Sequence, residues 1–203
     1  ALAEGNTIYA GPNASGEGDG TQANPYADLS AAISAAGAGD TVMLTDDITI
    51  SSQTSIAKNI TLDLSTHTIT GNTNWPLVVN GTVTFQNGTI EANSCSAGIC
   101  ISGGDVTASN LLIDTSKSGG GTGYIGSASG VYMNAGTFTL KSDSRILSNE
   151  GGIFILNQSV ANVYGTVETI SSFTSGDISG GYAAIQGNGT NQTAPGTTIN
   201  IYE

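Results

Sequence analysis

Glu91 and Asp114 are the two acids whose setting invites chemistry. Each directly follows an isoleucine, Ile90 or Ile113, in a short run rich in β-branched residues. If those runs stack as neighbouring strands, the two backbones stand about 4.8 Å apart. Carboxylates that close raise one pKa or recruit a cation, and a retaining glycosidase holds its two carboxyls about 5–5.5 Å apart. Glu91 and Asp114 are therefore the catalytic candidates if the chain is an enzyme. The competing reading is an acidic, solvated face that discourages lateral association.

Other polar residues are less suggestive. Elimination from a uronate needs a base and a cation, and the chain offers only Lys58, Lys117, Lys141 and Arg145. Lys141 and Arg145 flank Ser142-Asp143-Ser144, outside any recognisable lyase motif, and read as an exposed pair partly neutralised by Asp143. The lone histidine, His67, lies between Thr66 and Thr68 and reads as a turn residue with no acid at an obvious spacing. The loop Gly16-Glu17-Gly18-Asp19-Gly20 offers hard oxygen ligands for Ca2+ but lacks EF-hand spacing, so it reads first as a turn-rich loop. No cofactor or resident metal is expected. Cys95 and Cys100, in CSAGIC, suit either a small-loop disulfide or two free thiols.

An apolar column is more pointed. Val78, Cys100, Tyr132, Phe154 and Ala184 occupy equivalent outward positions in successive repeats, a ladder that a solvated face would not select. Either an insertion carrying Tyr124, Phe173 or Tyr182 folds over it, or these rings form a groove that stacks on sugar faces or holds a peptide. Tyr132, Phe154, Tyr124, Phe173 and Tyr182 are thus the candidate ligand-binding residues.

These positions exist only if strands repeat. SGVYMNAGTFTL (129–140) reads as strand, Asn-Ala-Gly turn, strand, and the phrase recurs at 74–85, 96–108 and 150–162. Three columns of strands share a period of about 22 residues. The first holds Leu77–Val79, Ile99–Ile101, Val131–Met133, Ile153–Ile155 and Ala183–Ile185. The second begins at Val83, Val106, Phe138 and Val160, and the third centres on Ile69, Ile90, Ile113, Ile146 and Val167. Extra residues enter at 115–129 and 170–181. The expectation is an all-β, right-handed parallel β-helix of about six or seven coils, with alternate side chains pointing in and out. Residues 1–39 supply a capping strand, a loop and a helix N-capped by Asp28, with Leu29, Ala32, Ile33 and Ala36 on one face. The coils fill residues 40–203. A threonine column (Thr61, Thr84, Thr107, Thr139) reads as cross-strand stacking, because its companions Asp63, Gln86, Ser109 and Lys141 break any regular ice-like array. Asn-x-Ser/Thr triplets, Asn87 and Asn157 among them, read as turn chemistry.

Composition narrows the function. Sixteen acids against four Lys+Arg give a net charge of −12, which excludes a nucleic-acid footprint. No apolar run approaches the roughly 18 residues of a membrane span. The terminal strand 197–202 lacks an evident cap, which suits a piece of a longer surface protein.

The stretch Ile8–Leu44 resembles the opening of bacterial extracellular proteins of the pectate-lyase-like β-helix superfamily. The resemblance rests on Gly20-Thr21, Pro25-Tyr26, the helix Leu29–Ala36 and Gly39-Asp40-Thr41-Val42, and covers about forty residues. It implies the β-helix and an extracellular or cell-surface setting, whereas activity varies among lyases, hydrolases, epimerases and adhesins. The expected function is a non-catalytic binding or adhesion domain whose partner is a glycan, another surface ligand or a second copy. The alternatives are a polysaccharide lyase or glycoside hydrolase on the same fold, and a structural spacer.

Overall fold

A computed structural model of the chain describes residues 5–12, 16, 18–118, 128–149, 151–170, 185–187 and 198–202. The candidates Glu17, Tyr124, Phe173, Tyr182 and Ala184 lie outside the described residues. The fold is a parallel β-helix. Every strand pairing between successive coils is parallel, and the strands form one six-stranded and one twelve-stranded sheet. Among the described residues, no helix is long and apolar enough to cross a membrane.

The six-stranded sheet is the first column: Thr54–Ile56, Leu77–Val79, Ala97–Ile101, Ser129–Met133, Ile153–Ile155 and Ile185–Gly187. The second and third columns share the other sheet because one left-handed residue bends the chain from one into the other. Val83–Ala92 and Asp105–Thr115 run as continuous strands through Asn87 (φ 59°) and Asn110 (φ 47°). Asparagine tolerates that conformation because its short side chain bonds locally.

Inside, equivalent residues stack. Ile69, Ile90, Ile113, Ile146 and Val167 pair in unbroken register, as their spacing predicts. In the second column each buried phenylalanine meets an alanine one coil on, Phe85 over Ala108 and Phe138 over Ala161. At these two steps the small side chain leaves room for the ring, which helps fill the tube at native density.

Two registers differ from the sequence reading. Phe138 pairs with Ala161, not Val160. Val160–Val163 alternates half-buried and buried, so the inward Val163, which pairs with Leu140, carries the smaller Ala161 inward with it. A slip of one residue would turn all four side chains over. In the first column Ile185 pairs with Ile153 and Gln186 with Phe154, a shift of two residues that keeps the same face inward.

The capping strand Thr7–Ala10 pairs with Thr41–Leu44. The helix Leu29–Ala35 buries Leu29, Ala32 and Ile33, and the Asp28 carboxylate accepts the Ser30 N–H at 2.7 Å. Lys58 Nζ donates to the carbonyls of Ser34 and Ala36, both at 2.6 Å, and so holds the helix's last turn to the first coil. The Asp40 carboxylate ties this cap together by accepting the N–H groups of Gly37 (2.7 Å) and Asn6 (2.8 Å). These donors hold its pKa below the ordinary value.

Candidate functional site: an aromatic cluster on the first column

Alternation along the first column turns Leu77, Ile99, Val131 and Ile153 into the core and aims their successors outward. Val78, Cys100, Tyr132 and Phe154 fall in register on four consecutive strands, as the sequence columns place them. Tyr132 stacks on Phe154 with ring centroids 5.4 Å apart and planes 17° from parallel. Phe154 is only 4% exposed, so it offers little contact surface of its own. Val78 and Tyr132 are half-buried. Burial pushes the Tyr132 phenol pKa up, with the neighbouring Cys100 adding to it.

Trp75 completes the cluster, and the strand columns gave no hint of it. It lies in the turn before Leu77–Val79, where no period assigns a direction. Its ring meets Tyr132 at 64° with centroids 5.1 Å apart. The only tryptophan in the chain stands half-buried, beside exposed Asn74. Asn74 Oδ1 accepts a hydrogen bond from Ser96 Oγ at 2.7 Å. The result is an aromatic surface of Trp75 and Tyr132 backed by Phe154 and edged by an amide and a hydroxyl.

Cys95 and Cys100 are free thiols. Cys95 Sγ lies 3.2 Å from Ser118 Oγ and Cys100 Sγ lies 3.7 Å from Ser102 Oγ. Burial raises the pKa of both thiols, which keeps them protonated and poorly nucleophilic.

The acids of the third column have other partners. Glu91 and Asp114 are indeed opposite one another in register. Glu91 binds Lys117 Nζ at 2.5 Å, and Asp114 accepts the Ser116 N–H at 2.9 Å. The hydrogen bond to Glu91, together with its charge, raises the Lys117 pKa. Arg145 finds its acid one coil on, at Glu168, whereas the sequence reading points to Asp143. Asp143 accepts from Ser109 and Ser144, and the Asn110 N–H and those hydroxyls lower its pKa.

Asp19, in the loop read as a Ca2+ candidate, accepts the Thr21 N–H and hydroxyl at 3.0 and 2.7 Å. Both donors lower its pKa and occupy the carboxylate as a turn-former. His67 has an acid neighbour after all: its Nδ1 stands 3.7 Å from Asp47 Oδ1.

The bends between the second and third columns form a polar ladder that the sequence columns did not reveal. Asn87 Nδ2 donates to both Asp63 oxygens, and Asn110 Nδ2 donates to Asn87 Oδ1 at 3.1 Å. A shallow groove of about 410 Å³ runs along it, edged by Thr66, Thr89, Asp143 and Arg145. The threonine column is longer than its spacing suggested. Thr7, Thr41, Thr61, Thr84, Thr107 and Thr139 fall in register, followed by Asn162 and Asn200. Its companion positions, Tyr9, Met43, Asp63, Gln86 and Ser109, share no chemistry.

Compared with known proteins, the chain matches no family model, no curated protein and no solved structure.

Proposed function

We propose that this β-helix is a non-catalytic binding domain of an extracellular or cell-surface protein, and that it recognises glycan through Trp75 and Tyr132. The observation that carries the reading is the outward Trp75–Tyr132–Phe154 cluster. A sugar ring presents an apolar face of C–H groups to a flat aromatic surface and directs its hydroxyls to the polar edge. Trp75 and Tyr132 offer ring faces inclined at 64° to one another, while Asn74 and Ser96 supply an amide and a hydroxyl that can exchange hydrogen bonds with sugar hydroxyls. Phe154 stacks on Tyr132 from the next strand, so little side-chain freedom is lost on binding. The engagement of Glu91 by Lys117 favours this reading over hydrolysis by the third-column acids. The resemblance of residues 8–44 to secreted β-helix proteins supports the setting.

A glycan array combined with a product-release assay tests it. The wild-type chain binds a defined glycan without turnover, and Trp75→Ala lowers affinity by about tenfold, in keeping with a stacking contribution of about 0.5–1.5 kcal/mol beyond area burial. Glu91→Gln and Asp114→Asn leave binding unchanged. Steady product release that these two substitutions abolish would replace the binding reading with an enzymatic one. Binding indifferent to Trp75→Ala would remove the site.

A further inference from the structure

Asp46 and Asp47 form the turn between Thr41–Leu44 and Ile48–Ile50, and His67 ends the matching turn one coil later, before Thr68–Gly71. Ile48 pairs with Ile69 and Thr49 with Thr70. Continuing that register backwards sets Asp47 beside Thr68 and Asp46 beside His67, one rung apart. The core enforces the alignment, because Ile48 and Ile69 are buried and a one-residue slip would turn them outward.

The consequence is a mixed ligand set. One atom from each of Asp46, Asp47 and His67 lies within 4.8 Å of the other two. His67 Nδ1 and Asp47 Oδ1 are 3.7 Å apart. An ion with tetrahedral bonds of about 2.0–2.1 Å holds its ligand atoms about 3.3 Å from one another. Small rotations of exposed side chains therefore close the set. Asp47 Oδ1 also accepts the Thr68 N–H at 2.7 Å. That bond orients the carboxylate, as outer partners do in metal sites, and leaves a second lone pair on Oδ1, the atom nearest His67.

We propose that Asp46, Asp47 and His67 bind a divalent transition-metal ion of the zinc class. The imidazole selects against Ca2+ and Mg2+, which take oxygen ligands, and suits zinc and its neighbours. Three protein ligands leave at least one position open to water or to a donor from another molecule. The ion clamps the first coil to the second beside the N-terminal cap. A bare ion pair between His67 and Asp47 has no use for Asp46, and that difference makes the proposal testable.

The test is calorimetric titration of the tag-free, metal-stripped chain with Zn2+, with the melting temperature followed in parallel. One saturable site per chain is expected, with a higher melting temperature at saturation and no such rise with Ca2+ or Mg2+. His67→Gln and Asp46→Asn each weaken Zn2+ binding by roughly tenfold or more. Both residues lie at a surface turn, and the metal-free melting temperatures report whether each variant keeps the fold. Asp46→Asn preserves the Asp47–His67 pair, so its loss of Zn2+ affinity separates a metal site from an ion pair. Absence of saturable uptake, or uptake unchanged in either variant, overturns the proposal. Trp75→Ala leaves Zn2+ binding intact, which keeps this site independent of the glycan reading.

Discussion

The rings of Trp75 and Tyr132 meet 5.1 Å apart although Leu77–Val79, which Trp75 precedes, lies two strands away from Ser129–Met133 in the six-stranded sheet. Cys100 occupies the rung between Val78 and Tyr132. A short side chain on that rung is expected to leave room for the indole from the turn below to reach the phenol above. The residue that looked like half of a disulfide is a buried free thiol on that rung.

Cys100→Leu tests this spacing. The extra volume forces the rings apart and costs about 1–3 kcal/mol in a denaturant titration. Because Trp75 is the chain's single tryptophan, its emission shifts to longer wavelength as the indole is pushed towards water. Cys100→Ala, which adds no bulk, leaves the emission near that of the wild type. An unchanged spectrum in the leucine variant would show that the thiol does not set the contact.

The asparagine ladder contributes twice, through its left-handed backbone and through its amides. Asn87→Ala loses both, with φ at 59° and bonds to Asp63 and Asn110 removed, for a cost of about 2–3 kcal/mol. Asn87→Gly keeps the backbone at ease and loses only the amide bonds. Its cost is therefore smaller than that of the alanine variant, and equal costs would assign the ladder to hydrogen bonding alone. Chemical denaturation of the two variants gives the comparison.

Turn glycines stack one above the next between the first and second columns. A Cβ on Gly136 (φ 95°) would lie 2.1 Å from the Gly104 carbonyl oxygen, and one on Gly104 (φ 73°) would lie 2.2 Å from that of Gly81. Gly136→Ala and Gly104→Ala each cost about 2 kcal/mol or more, since both strain and a backbone clash oppose the methyl group. At Gly103 the nearest atom to an added Cβ is 3.9 Å away, so Gly103→Ala is the near-neutral control. Thermal melts of the three variants decide the matter.

Acid loosens the N-terminal cap. The Gly37 and Asn6 N–H groups, with a smaller contribution from Lys58, hold Asp40 below its ordinary value. A depressed native pKa favours the ionised form in the folded state. Its stabilisation is complete above the unfolded value of about 4 and is lost as pH falls through the lower native value. Asp19 and Asp143 act in the same direction. Melting temperature measured from pH 6 downwards declines through this window, and the decline is shallower in Asp40→Asn. Parallel curves for the two proteins would rule Asp40 out as a contributor.

Much of the architecture was legible because the core repeats chemically as well as geometrically. Ile69, Ile90, Ile113 and Ile146 declare their column, and Asp28 with Leu29, Ala32 and Ile33 declares the capping helix. The outward register of Cys100, Tyr132 and Phe154 follows from the same alternation. Legibility failed where neighbouring residues were equally apolar, as at Val160 and Ala161. Local pattern does not choose between them; in the fold it is Ala161, with Val163, that turns inward against Phe138 and Leu140 one coil below. It failed again in turns, where Trp75 belongs to no period.

By itself the sequence determined the coil, its period, its inward and outward faces and its acidic exterior. Each of these follows from residue type at a fixed spacing. Tertiary structure alone decided that Trp75 reaches Tyr132, that Lys117 engages Glu91 and that Asp46 and Asp47 stand beside His67. In a parallel coil the neighbours of a side chain lie one circuit away along the chain. Which residues meet depends on the exact length of each circuit, and the packing of the core sets that length.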